Sequence, residues 1–222
     1  MALPQPDLLT MSAAALLIAT FAVIVRRGFL DWLSGYRYQS LVLAAVTAVI
    51  GYMTGVWEIY IAAVLTLVIK AIVIPKVLLR VTQKIKGNLG EFNPYISLRA
   101  SVIISAFLVV FAYALVGETF ATSKLDSVAK NYLPVALALF FIGLFAMVSR
   151  RVVLSQVVGL LIIENGLFLF TASLTHGFSL LIEVGIFADI LISVLISAIL
   201  LSRISQTFDS LDMGKIEQLR DD

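Results

Sequence analysis

Cysteine is absent from this 222-residue chain, and histidine occurs once, at His176. Without thiolates there can be no disulfide, no Cys-ligated iron–sulfur cluster and no Cys-ligated zinc site, and a single imidazole cannot supply bis-His haem ligation. The chain is therefore expected to carry no redox centre, cofactor or metal of its own. Charge is scarce as well. Charged residues are 14% of the sequence against 61% hydrophobic, with a mean hydropathy of +1.05. A soluble domain of this length needs far more polar surface, so the composition excludes the ordinary soluble classes and leaves a polytopic, all-α membrane protein. The expected environment is the lipid bilayer, and no nucleic-acid partner is expected. A formal net charge of +2 names no partner, because in a membrane protein the placement of charge outweighs its sum.

Lysine and arginine are missing from the first 25 residues. A secretory signal needs a basic region before its apolar run, so the first run is expected to be an uncleaved span, Leu8–Val25. Further apolar runs cover Gln39–Thr54, Ile59–Leu79, Leu98–Val116, Leu133–Ser149, Val152–Ser173 and Leu180–Leu201. Most approach the ~20 residues that cross a ~30 Å hydrocarbon core. The second is short, and is either tilted or extended back to Tyr36. This predicts seven transmembrane helices. With the N-terminus outside, 13 of the 16 Lys and Arg residues fall on inner segments. Only Lys124 and Lys130 fall on outer ones, and Lys70 lies inside a span. The expected orientation is N-out and C-in.

What is present is a repeated punctuation. FAVIVRRGFLDWLSG (Phe21–Gly35) and FAMVSRRVVLSQVVG (Phe145–Gly159) lie 124 positions apart and share Phe-Ala, Arg-Arg and a closing Gly in register. Arg80-Val81-Thr82-Gln83 and Arg203-Ile204-Ser205-Gln206 close the third span of each half. Glu58 and Glu183 stand near the outer start of those spans. The pattern predicts a parallel duplication of a three-helix unit with one linking helix. Residues 1–80 form the first unit, and residues 81–131 hold an inner loop, the linking span and an outer loop. Residues 132–203 form the second unit, and residues 204–222 an inner tail. In the inner loop, Gly87-Asn88-Leu89-Gly90 and Asn93-Pro94 are turn formers.

The costly residues are the charges at membrane depth: Lys70 in span 3, Glu164 in span 6 and Asp189 in span 7. Each is penalised by roughly 2.5–3.5 kcal/mol at the bilayer centre, so each should face protein or water. They read either as a proton or ion relay or as structural ion pairs that lock helices together, and static pairs are themselves expensive. Thr66 lies one turn before Lys70 and is expected to hydrogen-bond its ammonium. Pro75 cannot donate to the carbonyl of Ala71, which predicts a freed acceptor and a kink beside Lys70. Asp189, Ser193 and Ser197 form a polar stripe at i, i+4 and i+8, either a hydrated path or a packing face. Asn165 follows Glu164 directly and is expected to point about 100° away from it. Glu58 and His176 read as interfacial residues, whereas Glu183 is kept with the pathway set.

These residues carry a resemblance. Arg150-Arg151, then Gly159-Leu160, then an intramembrane acid on each of two successive helices is similar to the small K-type subunit of respiratory complex I. The resemblance implies a proton-conducting role for two acids on neighbouring helices. Asp189 takes the second place; the family's Gly-Leu-Glu is Gly159-Leu160-Leu161 here, with the acid one turn later at Glu164. Over residues 1–203 the chain resembles the hydrogenase-4 component E family, most specifically in VIKAIVIPKVLL, GLLIIENGLFLF and IEVGIFADILI. That resemblance implies a membrane subunit of complex I-like group 4 nickel–iron hydrogenases or formate hydrogenlyase complexes in a prokaryotic cytoplasmic membrane. Implied partners are antiporter-like membrane subunits, a membrane anchor subunit and a peripheral hydrogenase arm that holds the nickel–iron and iron–sulfur centres. The expected function is proton or sodium translocation coupled to electron transfer in those partners. A structural spacer in the same complex and a subunit of a multisubunit cation/proton antiporter are the alternatives. The K-like subunits of such antiporters resemble only the second half of this chain.

Overall fold

The computed structural model describes residues 5–26, 28–84, 96–120, 125–149 and 153–175. Among these residues every regular element is helical. The helices are α1 (Gln5–Ile24), α2 (Phe29–Thr54), α3 (Trp57–Leu65), a π-helical segment (Thr66–Val73), α4 (Ile74–Lys84), α5 (Leu98–Thr119), α6 (Ser127–Val148) and α7 (Val153–Thr175). Among the described residues five stretches are long and apolar enough to cross a membrane: Asp7–Ile24, Trp57–Arg80, Leu98–Thr119, Ser127–Val148 and Gln156–Leu174. The chain is thus a multi-pass membrane protein. The expected seventh span, with Glu183, Asp189, Ser193 and Ser197, lies outside the described residues.

Local chemistry sets the helix ends. Asp7, Asp31 and Glu58 sit in the first turns of α1, α2 and α3, where a carboxylate meets the positive end of the helix dipole. Ser97 and Asp126 cap α5 and α6, accepting from the N–H of Ala100 at 3.3 Å and of Ala129 at 2.9 Å. At the end of α2, Gly55 turns left-handed with φ of 70°, and its N–H donates to the Gly51 carbonyl at 2.9 Å. Only glycine takes that φ without strain, so the chain reverses directly into α3.

Two expectations change here. The second apolar run, Gln39–Thr54, is the C-terminal part of a 26-residue helix that begins at Phe29. The polar run Tyr36–Ser40 hides this continuity in the sequence; Gln39 and Ser40 are buried inside the bundle instead of marking its edge. The disturbance expected at Pro75 takes the form of eight residues of π-helix just before it, with the Ile74 N–H donating to the Ile69 carbonyl. Pro75 has no N–H to give, and the preceding residues adopt the wider i→i−5 register. π turns usually occur singly and often at functional sites.

Helices α1, α2, α6 and α7 pack as a four-helix group, with α1 against α2 and α6, and α7 against α6 and α2. The α3–π–α4 span lies on α2, and α5 lies on α6 and the edge of α1. The α6–α7 seam is backbone-close: a Cβ at Gly166 would stand 2.7 Å from the Ala136 carbonyl oxygen, and one at Gly143 2.7 Å from the Ile163 nitrogen. Small residues at such seams let helices approach without a hydrophobic driving force. A Cβ at Gly35 would meet the Val23 backbone, and one at Gly159 the Met147 backbone; both pairs are 124 positions apart.

The core is divided along the helix axes. One apolar cluster holds Leu9 and Leu16 of α1, Leu43 and Ile50 of α2, and Phe168 and Leu169 of α7. The other holds Val23 and Ile24 of α1, Phe29 and Trp32 of α2, and Val158 and Leu161 of α7. Between them, on each of these helices, lies a level of buried polar residues.

Candidate functional site: a buried charged layer

The layer is assembled from four helices. The π segment contributes Thr66 and Lys70, α7 contributes Glu164 and Asn165, α2 contributes Gln39 and Ser40, and α1 contributes Thr20. Each of these helices passes from one apolar cluster to the other at this depth and places a polar side chain between two dry regions. Lys70 is 0% exposed and Glu164 9%, which at this depth demands a partner. They have each other: Lys70 Nζ lies 2.6 Å from Glu164 Oε1.

A second contact takes Lys70 out of the pair. Its ammonium donates to Asn165 Oδ1 at 3.1 Å, and it stands 4.8 Å from the centre of the Phe168 ring, a favourable place for a desolvated cation. Asn165 Nδ2 donates in turn to Gln39 Oε1 and to Ser40 Oγ, both at 3.4 Å. Gln39 Nε2 donates to Thr20 Oγ1 at 2.8 Å, and the Thr20 hydroxyl to the Leu16 carbonyl at 2.8 Å. Every link from Lys70 to α1 donates away from the ammonium. A cation at the head of the chain polarises each bond in the same sense, which strengthens the row.

Chemistry assigns the two sides of Lys70 different work. Primary amides neither take up nor release protons near neutral pH; they only donate and accept hydrogen bonds. The Asn165–Gln39–Thr20 row therefore fixes the ammonium in place and is a poor route for protons. The exchangeable side is the carboxylate. Glu164 Oε2 has no hydrogen-bond partner among the described residues, nor do the buried hydroxyls of Tyr36 and Thr66. Tyr36 lies within electrostatic reach of Glu164. Orphan polar atoms cost about 1–3 kcal/mol each, so these call for an explanation.

The sequence-predicted residues fare unevenly. Lys70 and Glu164 come together. Thr66 is buried, but its hydroxyl does not bond Lys70; the π register changes its azimuth, and Glu164 and Asn165 already hold the ammonium. Pro75 is buried two residues beyond the π segment. Asn165 does not turn away from the site. It and Glu164 point about 100° apart on α7, and the long lysine side chain enters between them and meets both. Gln39, Ser40, Thr20 and Tyr36 are missed by the sequence reading. For all but Thr20, which lies on α1, the signal was a polar run, Tyr36–Ser40, set between two apolar stretches of α2. Among the described residues no three His, Cys, Asp or Glu side chains converge as metal ligands.

No protein-family model and no solved structure matches the chain. Curated relatives do. A Mycobacterium tuberculosis protein described as "Uncharacterized protein Rv0085" is 27% identical over 214 residues, covering 96% of each chain. "Hydrogenase-4 component E" of Escherichia coli K12 is 28% identical over 188 residues, covering 83% of this chain and 84% of the relative. The Shigella flexneri protein of the same name matches equally. The chain is thus similar to hydrogenase-4 component E proteins over most of its length.

Proposed function

We propose that this chain is an accessory membrane subunit of a complex I-like hydrogenase assembly in a prokaryotic cytoplasmic membrane, and that Lys70 and Glu164 relay protons within it. Similarity to hydrogenase-4 component E supports the first part. A single observation carries the second: a fully buried lysine on a π-helical segment is anchored on one side by amides and faces, on the other, a carboxylate with an unpartnered oxygen. As it stands the pair holds one ammonium and one carboxylate. A proton arriving at Glu164 Oε2 neutralises the carboxylate and releases Lys70 from it. The ammonium then passes its proton to the next acceptor, and transfer from Glu164 to the free amine restores the charged pair. Asp189, with Glu183 and the Ser193–Ser197 stripe, supplies the continuing path on the seventh span. Sodium in place of the proton would use the carboxylates but not the lysine.

The chain crosses the membrane seven times, N-out and C-in, with α2 as the second crossing and Leu180–Leu201 as the seventh. The equivalent packing of Gly35 on Val23 and Gly159 on Met147 supports duplication of a three-helix unit. Partner subunits are antiporter-like proteins, a membrane anchor and a peripheral arm holding the nickel–iron and iron–sulfur centres. A second reading, a purely structural spacer, draws on the same amide row, which ties α1, α2, α7 and the third span together at one level.

The testing experiment has two arms. Mild-detergent purification of the chain from its native membranes should bring hydrogenase subunits and stoichiometric nickel; antiporter-like subunits without nickel would remove the hydrogenase reading. In the purified complex, Glu164→Gln should preserve assembly and abolish proton movement. A variant that loses assembly while the residual complex pumps normally would establish the spacer.

A further inference from the structure

We propose that the cleft between α2 and α4 binds the headgroup of an anionic phospholipid. The cleft measures about 120 Å³, roughly four water volumes, and is independent of the Lys70–Glu164 relay. Leu30, Leu33 and Leu79 line it with the polar groups Ser34, Arg37 and Lys76. Arg37 lines it from α2 and Lys76 from α4, so two cationic residues on different helices border one space. Both are exposed, and neither has a hydrogen-bond or salt-bridge partner among the described residues. Among the described residues no acidic side chain lines the cleft. Asp31, the acid on the same helix, packs its carboxylate against Gly28 instead.

Depth favours an anion. Arg37 is only two residues before Gln39 of the buried polar layer, and Lys76 six residues beyond Lys70. At ~1.5 Å per residue these backbones lie within about 9 Å of that layer. A lipid-facing arginine there is costly unless it snorkels or meets a counter-charge. The bilayer supplies one in the form of a phosphodiester, which matches a guanidinium and an ammonium held apart on two helices. The apolar walls suit acyl chains, since Leu30 and Leu79 are both exposed on the outer surface of the bundle. A zwitterionic headgroup would bring its own cation to a cleft that already has two and, among the described residues, offers no carboxylate. The complementarity therefore selects a net-anionic lipid.

Native mass spectrometry of the purified full-length chain, with phosphatidylglycerol or phosphatidylethanolamine added, tests this. One phosphatidylglycerol should be retained per chain under activation that strips phosphatidylethanolamine. Arg37→Gln/Lys76→Gln should weaken retention about tenfold, as expected when charge-assisted contacts to phosphate are lost. Lys130→Gln, at the start of α6, should leave it unchanged, and circular dichroism should show all three chains equally helical. Equal retention of the two lipids, or full retention by the double variant, would overturn the proposal. Carbodiimide cross-linking of Lys76 to a carboxylate of a co-purifying subunit would also overturn it, by giving the cleft to a protein.

Discussion

Lys70 and Glu164 are worth more as a pair than as two residues, and substitutions should reveal it. A buried ion pair loses to apolar packing about as often as it wins, but one partner left alone is strongly penalised. Lys70→Met should lower the stability of the detergent-solubilised chain by about 3–5 kcal/mol, because Glu164 keeps its charge or its proton in a dry bundle. Lys70→Met/Glu164→Leu should recover most of that loss, read as thermal unfolding by circular dichroism. Asn165→Leu leaves Gln39 and Ser40 without their donor and should cost about 1–3 kcal/mol. It should slow proton movement far less than Glu164→Gln, because an amide holds the ammonium without carrying protons. At this scale the sequence was half legible. A lysine and a glutamate inside apolar runs announce themselves by their cost. Gln39 and Thr20 do not, since an uncharged polar residue inside a span costs less than a charge, and nothing local says that Gln39 joins Asn165 to Thr20.

The π segment and the α6–α7 seam are where whole elements decide the site. Pro75→Ala restores an N–H beyond the π turns and should let Thr66–Val73 relax towards an α register, rotating Lys70 relative to Glu164. The coupling energy between the two, measured by a double-mutant cycle, should then fall in the Pro75→Ala background. On the seam, Gly166→Leu should destabilise the chain by about 1–3 kcal/mol through overpacking, because its Cβ alone would already stand 2.7 Å from the Ala136 carbonyl. Gly117→Ala, with nothing within 4 Å, is the neutral control. Apolar run length located the described spans well: α5 begins at Leu98 and α7 at Val153, as expected to within a residue. The misses share one cause. Hydropathy averages over a window, whereas the first turns of α2 and α6 alternate buried apolar residues such as Trp32 and Val128 with exposed polar ones such as Asp31 and Lys130, so the apolar run breaks where the helix does not. Pro75 marked the right place and the wrong distortion, because a missing N–H does not say whether the helix bends or widens.

As a whole, the molecule stacks two apolar clusters with a charged layer between them, an arrangement that insulates one ion pair from both surfaces. Topology is testable directly, since the chain has no native cysteine. Single cysteines at Lys124 or Lys130 should label from outside intact cells, and those at Lys86 or Lys215 only after permeabilisation; the reverse pattern would invert the orientation. The chain's class was legible from composition, and its likeness to hydrogenase-4 component E from three short segments of spans 3, 6 and 7. The layer was not, because it joins residues up to 126 positions apart and no local pattern encodes such pairing. Whether that layer moves protons is the central claim. The most direct measurement compares proton uptake with electron-transfer rate in proteoliposomes holding the purified complex, wild type against Lys70→Met/Glu164→Gln. The account predicts an assembled complex whose electron transfer continues while proton movement is lost. Undiminished proton movement per electron in that variant would contradict it.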